Sequence, residues 1–235
     1  MYVVKVPAKK ARSPRPTLTR ESVLAAALVL ADHHGLDALS MRKLGQALGV
    51  EAMSLYNHVA NKDDVLDGMV DLVMGEIHVP VGRPWRDALR ERSISAHDVL
   101  LAHPWAAALI ESRLSPGPQR LAHHNALIGV LREADFPMDL AYRAFLTLDS
   151  YIYGFILQEV NWPFTRAERP DVVTAIEPMV TMEAHPHLIA MMSYVMDSSR
   201  EELAAEGAGG AYRAEFEFGL DLILDGLAAA LGARR

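Results

Sequence analysis

Residues 40 to 62 hold the side chains best suited to chemistry: Ser40, Arg42, Met53, Ser54, Tyr56, Asn57, His58 and Lys62. Hydroxyl and amide groups can meet the donor and acceptor edges of bases, and a methionine can lie on a thymine methyl. Cations and hydroxyls can hold phosphate oxygens. Ser40 and Arg42 stand where a helix begins, and free N–H groups beside a cation suit a phosphate there. Other chemistries find less material. The chain has no cysteine, which removes disulfides, thiolate zinc sites and cysteine nucleophiles. Its ten histidines include no H-E-x-x-H, and His33-His34 and His123-His124 are adjacent, so each pair diverges by about 100° on a helix. No G-x-S-x-G elbow and no phosphate-cradling glycine loop occurs. We therefore expect no catalytic residues, no metal site, no cofactor and no enzymatic activity.

Charge points the same way. Residues 1–62 carry nine Lys or Arg against four acids, and the rest of the chain 14 against 26, within a net charge of -7. A basic head on an acidic body is the pattern of a polyanion-binding module joined to something else. Half of the composition is hydrophobic, 51%, enough for a sizeable core. The apolar run through Ala25 to Ala31 is far short of a membrane span. No signal-peptide-like apolar stretch follows the basic residues at the start, so a cytoplasmic protein with no membrane partner is expected.

The elements that must position these groups are helical. Residues 1–16, with Pro7, Pro14 and Pro16 among basic residues, read as a flexible arm. Thr19 is an N-cap, followed by Val23, Ala26, Ala27, Leu30 and Ala31 on one helical face, with Gly35 ending the helix. Ser40 caps a second helix with Met41, Leu44 and Leu48 inward and Gly49 at its end. A very short helix follows over 51–59, facing inward with Ala52, Leu55 and Val59; Ala47 is expected at the helix crossing. Asn61 caps a longer helix over 62–77 with Asp63 and Asp64 in its first turn. A capped helix, a glycine turn and a second short helix match the helix-turn-helix plan, whose second helix enters the major groove.

Beyond the linker 79–84, helices are expected over 85–101, 105–112, 118–134 and 138–160, again from 171 with breaks at Pro178 and Pro186, and finally over 212–231. No run alternates with period two. The fold class is all-α: an N-terminal three-helix helix-turn-helix domain over 17–64, and a larger helical ligand-binding and dimerisation domain over 83–235. The helix 138–160 is apolar nearly all round. The last helix carries Phe216, Leu220, Ile223 and Leu227 at 4-3-4 spacing. With Ile152 they are the expected dimer face, Gly219 and Gly226 allowing close approach in a twofold four-helix bundle. Trp85, Trp105, Tyr151, Tyr153 and Phe155, with His97, Arg113, His124, Asn125 and Gln158 near them in register, are the expected lining of a small-molecule pocket.

The stretch from Leu18 to Val73 closely resembles the DNA-binding domain of the TetR family of transcriptional regulators. The resemblance rests on the helix start at Thr19, on Leu39-Ser40-Met41-Arg42-Lys43-Leu44, and on Leu48-Gly49-Val50 followed by Ser54-Leu55-Tyr56-Asn57-His58-Val59 and Asn61-Lys62. It implies a homodimer that represses from a near-palindromic double-stranded DNA operator and is released by a small-molecule effector. It also implies that Arg42 and Ser54 read bases, that Tyr56 and Lys62 hold phosphates, and that His58 lies beside the backbone. Ala52, Met53 and Asn57 fall where the family varies freely. The body resembles the tetracycline-repressor branch through Asp135-Phe136-Pro137-Met138-Asp139 and Phe216-Glu217-Phe218-Gly219-Leu220. Glu111 stands in the register of that branch's metal-holding histidine, which argues against metal–tetracycline chemistry. Two other readings compete: an all-α enzyme or small-molecule carrier whose basic head is incidental, and an architectural DNA-binding protein without a ligand.

Overall fold

The structure is a computed structural model and describes residues 18–113, 115–161, 179–194 and 210–234. The expected basic arm lies outside these residues, as do nearly all of the loop after Asn161 and the helical pattern from Asp171 to Pro178. Among the described residues every regular element is helical. None of these helices is long and apolar enough to cross a membrane. The chain divides into two units between Met69 and Val70, inside a helix, whereas the sequence placed the edge of the first domain at 64.

In the first unit, α1 runs Arg20–His34. Its start is fixed by a reciprocal box. Thr19 Oγ1 accepts the Ser22 N–H at 3.2 Å, and Ser22 Oγ accepts the Thr19 N–H at 2.9 Å. Val23, Leu24, Ala27 and Ala31 are the buried face. After a 3₁₀ turn at Leu36–Ala38, Ser40 Oγ accepts the Lys43 N–H at 3.3 Å and opens α2, Met41–Leu48. Gly49 ends α2 in the left-handed region at φ 67°, where a side chain would be strained. The short α3 spans only Ala52–Leu55, not 51–59 as expected. Residues 56–58 form turns, with Asn57 and His58 donating backbone N–H groups to the Ser54 and Leu55 carbonyls.

The crossing of α2 and α3 is set by Gly45, not by Ala47. A Cβ on Gly45 would meet the Val50 carbonyl oxygen at 2.9 Å and the Ala52 nitrogen at 3.1 Å, whereas Ala47 is exposed. Leu44, Leu55 and Val59 close the small core around that contact. Full burial of each Leu is worth about 1.5–3 kcal/mol. α4, Lys62–Glu76, begins in this unit, where Gly68 lies against the Leu24 side chain and Val65 and Met69 are buried. That packing draws the unit boundary beyond residue 64.

The second unit takes the end of α4, then α5 (Trp85–Ala102), α6 (Ala106–Ser112), α7 (Pro118–Glu133), α8 (Met138–Asn161) and α9 (Gly210–Gly232). Leu89, Ala96 and Leu100 of α5, Ile110 of α6, Leu127 and Leu131 of α7, Leu148, Ile152 and Ile156 of α8, and Phe216, Leu220 and Leu224 of α9 are buried together. A charged seam ties α5 to α9: Arg90 Nη2 lies 2.6 Å from Glu217 Oε2, and Arg86 Nη1 lies 2.8 Å from Asp225 Oδ1.

The residues expected to form a dimer face mostly serve the protomer's own core. Ile152, Phe216, Leu220 and Leu227 are buried within the protomer and Ile223 is half-buried. Gly219 is already occupied: the Tyr151 ring fills the space a Cβ would need, and Tyr151 OH donates to the Phe216 carbonyl at 2.8 Å. The large apolar side chains left exposed on these two helices are Met138, Tyr142, Leu146 and Val160 of α8 and Phe218 and Leu222 of α9. A helix that is apolar nearly all round carries no periodic mark of which side meets its own core.

Candidate nucleic-acid interface and helical cavity

The first unit turns a polar surface outward from the α2–α3 pair. Leu44 and Leu55 point into the core, so the residues between them in register face solvent. Arg42, Glu51, Met53, Tyr56, Asn57 and Lys62 are exposed, and Thr19, Ser40, Ser54 and His58 are half-exposed. Met53 is the extreme case: an unbranched apolar side chain 76% exposed on a four-residue helix. Exposure there costs apolar hydration with no gain inside the fold, as a contact surface would. Thr19 and Ser40 are committed to their helix caps through their side-chain oxygens, so their direct role is positional.

The turn before α4 is equally fixed. Asn61 Oδ1 accepts the Asp64 N–H at 2.8 Å, and Asp64 Oδ2 accepts the Ala60 N–H at 2.8 Å. Lys62 therefore projects from a rigid corner at the start of the helix.

In the second unit α6, α7 and α8 enclose a cavity of about 590 Å³. Phe145, Leu146 and Tyr153 supply apolar wall; Glu111, Arg120, His124, Asp149 and Ser150 supply polar groups. That is the composition of a small-molecule site. Arg120 Nη1 donates to the Arg113 carbonyl at 3.2 Å, while its buried Nε has no acceptor. His124 meets Phe145 edge to face at 5.1 Å, and burial holds its pKa below the ordinary imidazole value, with smaller opposing effects from Asp149 and Arg120. Burial pushes the Tyr153 phenol well up, so it remains a neutral donor and acceptor.

Beneath the wall lies a buried ion pair, Arg92 Nη2 to Asp149 Oδ1, at 2.7 Å. Arg92 also points Nε and Nη2 at His123 Nε2, at 3.2 and 3.0 Å. Among the described residues no three His, Asp or Glu side chains gather closely enough to hold a metal ion.

Of the pocket residues expected from sequence, His124 and Tyr153 line this cavity, and Arg113 touches one of its members through a carbonyl. The others serve elsewhere. Trp85 packs edge-on against Phe136 at 5.0 Å and Trp105 is buried beside His103. Tyr151 stacks on Phe216 at 5.3 Å, Phe155 meets it edge-on at 5.2 Å, and His97 lies 4.4 Å from the same ring with Nε2 3.1 Å from Glu159. Gln158 is exposed. The large aromatics fill core, and the cavity opens where α8 presents Asp149, Ser150 and Tyr153. Sequence reading missed Arg120, Phe145, Leu146, Asp149 and Ser150. An aspartate inside a 24-residue, nearly apolar helix was the available signal.

Comparison with known proteins agrees with both halves. Residues 23–69 match the family described as bacterial regulatory proteins, tetR family, and residues 81–231 the one described as tetracyclin repressor-like, C-terminal domain. A transcriptional regulator of the helix-turn-helix type from Saccharopolyspora erythraea is 40% identical over 158 residues, 66% of this chain and 66% of that one. The tetracycline repressor protein class A from transposon 1721, in Escherichia coli, is 32% identical over 90% of this chain and 91% of its own. Among solved structures, ActR of Streptomyces coelicolor in complex with actinorhodin superimposes with a TM-score of 0.74 at 28% identity, covering 92% of this chain and 99% of that one.

Proposed function

The chain belongs to the tetR family of bacterial regulatory proteins, and from that premise we propose that it is a cytoplasmic repressor that leaves its DNA operator when a small molecule occupies the α6–α7–α8 cavity. The observation that carries the DNA half is the exposed set Arg42, Met53, Tyr56, Asn57 and Lys62 around a helix-turn-helix whose buried residues leave that surface no role in folding. Ser54 and Arg42 meet base edges, Tyr56 and Lys62 hold phosphates, and His58 lies against the backbone, while Thr19 and Ser40 fix the helix starts. The cavity supports the ligand half: it offers hydrogen-bonding groups beside an aromatic wall, and the chain's solved relative ActR carries actinorhodin. The protein acts as a homodimer through the exposed apolar side chains of α8 and α9. Two copies then present two recognition helices to half-sites about one helical turn, roughly 34–36 Å, apart.

The test is selection of bound duplexes from a random library. A near-palindromic motif with that half-site spacing, bound more weakly as salt rises, is the expected result. Recovery of no motif, or binding indifferent to sequence, would contradict it.

A further inference from the structure

Three helices meet on one buried cation in the second unit. Asp149 of α8 lines the cavity and places Oδ1 2.7 Å from Nη2 of Arg92 on α5. Arg92 is almost wholly buried, 1% exposed, and reaches His123 Nε2 of α7 with both Nε and Nη2. A guanidinium can only donate, so His123 Nε2 is the acceptor and Nδ1 carries the ring proton. Burial, and then the Arg92 charge, hold His123 neutral with its pKa down to about 3. Asp149 thus supplies the negative charge that compensates Arg92, and Arg92 Nη1 is buried with no acceptor. Asp149 Oδ1 is likewise buried with no hydrogen bond, so its hold on Arg92 is the charge contact alone.

The same α7 grips the second half of α4. The Arg120 N–H donates to Asp71 Oδ1 at 2.9 Å, Gly117 lies directly against that carboxylate, and Gln119 lies against Gly75. His123 sits one turn further along α7 from these contacts. From Asp71 and Gly75, α4 runs without a break back to Lys62.

We propose that Asp149, Arg92 and His123 form the relay by which a ligand in the cavity acts on α4. This rests on the effector reading above. A carboxylate only accepts hydrogen bonds, so the ligand group that throws the relay is a donor, a hydroxyl or ammonium on an aromatic frame that packs on Phe145 and Tyr153. When it draws Asp149 away, Arg92 is left as a buried charge without its counter-ion, which is strongly unfavourable. Arg92 must follow, and His123 and the start of α7 with it. Packed helices settle into discrete arrangements, so a small displacement at Asp149 becomes a shift of α4. A ligand that fills the cavity equally well in both arrangements shifts nothing.

Because the relay can be broken without a ligand, substitutions test it. The probe is a duplex enriched from a random library by the wild-type protein. Asp149→Asn keeps the side-chain shape and removes the charge; it is expected to bind this duplex at least tenfold more weakly, while unfolding cooperatively near the wild-type temperature. Asp149→Glu restores the charge and is expected to bind within about threefold of wild type. Thr147→Ala changes an exposed α8 residue outside both the cavity and the relay and is expected to bind as wild type does. Should Asp149→Asn fail to fold, Arg92→Lys gives the same reading, since one ammonium replaces the fork that spans Asp149 and His123. Full-strength duplex binding by folded Asp149→Asn or Arg92→Lys overturns the relay, as does an equal loss in Thr147→Ala. If the wild-type protein enriches no duplex, the DNA-binding reading itself fails and the relay with it.

Discussion

Arg20 and Asp64, 44 residues apart, close a two-pronged ion pair: Nη1 to Oδ2 at 2.8 Å and Nη2 to Oδ1 at 2.7 Å. It joins the first turn of α1 to the first turn of α4, and Asp64 simultaneously holds the Ala60 N–H. The two prongs fix the corner from which Lys62 projects.

This pair makes stability depend on acid. The hydrogen bond from Arg20 is the main cause holding the Asp64 carboxyl below its ordinary value; burial opposes it, and the Ala60 N–H and the Arg20 charge assist. A depressed carboxyl pKa stabilises the fold above the unfolded value, about 3.9, and that contribution is lost as pH falls through the folded value. Both side chains are partly exposed, so the pair is worth at most about 1 kcal/mol. Asp64→Asn should lower the unfolding free energy in urea at pH 7 by that amount and by less at pH 3. Equal losses at both pH values would assign the cost to something other than the ion pair.

Gly45→Ala should damage the helix-turn-helix more than any exposed substitution in it. The new Cβ would press on backbone atoms of Val50 and Ala52, which cannot swing aside as a side chain can. A cost of about 1–3 kcal/mol follows, read as a melting temperature lower by several degrees. Ala47→Ser, at an exposed position on the same helix, is the control and should melt as wild type does.

Much of the first unit was legible because its ends are written in local chemistry. Thr19, Ser40, Gly35 and Gly49 each do at a helix end what their residue type favours, so three helix starts and ends fell within a residue or two. The exposed face followed from where Leu44 and Leu55 had to point. The Gly45 contact was not legible, since small residues at 45 and 47 look alike until the crossing angle is known. The second unit was harder for a related reason. α8 and α9 are apolar on several sides, and spacing alone does not separate a core stripe from an interface stripe. Phe216 and Leu220 went inward, and Phe218 and Leu222 were left outside. The cavity defied a rule of thumb: large aromatics such as Trp105 and Tyr151 pack before they line, and the opening is marked by polar residues on a helix that otherwise avoids them.

The exposed positions on α9 make the dimer face testable. Phe218→Glu and Leu222→Glu should each convert a micromolar dimer to monomer in sedimentation velocity, because two like charges would be brought together in a twofold interface. A dimer undiminished in both variants would place the interface on other helices.

His123 predicts a second acid dependence in the body. Its pKa lies at about 3, below the ordinary 6.5, owing first to burial and then to the Arg92 and His124 charges. Between those values the unfolded chain binds a proton that the folded chain does not, so stability should rise with pH across that window. The ring protons of His123 should show no titration from pH 8 down to about pH 4. A midpoint near 6.5 would mean that the ring is not buried against Arg92.

The central claim is that the α2–α3 face, with Lys62, binds DNA. Fluorescence anisotropy of a library-enriched duplex, titrated at several salt concentrations with wild-type, Arg42→Ala, Tyr56→Phe and Lys62→Ala proteins, tests it most directly. Arg42→Ala and Tyr56→Phe should each cost about 1–3 kcal/mol of binding with melting unchanged. Lys62→Ala should weaken binding to all duplexes alike and reduce the slope of log affinity against log salt by about one. Binding by all three variants at wild-type strength would contradict the account.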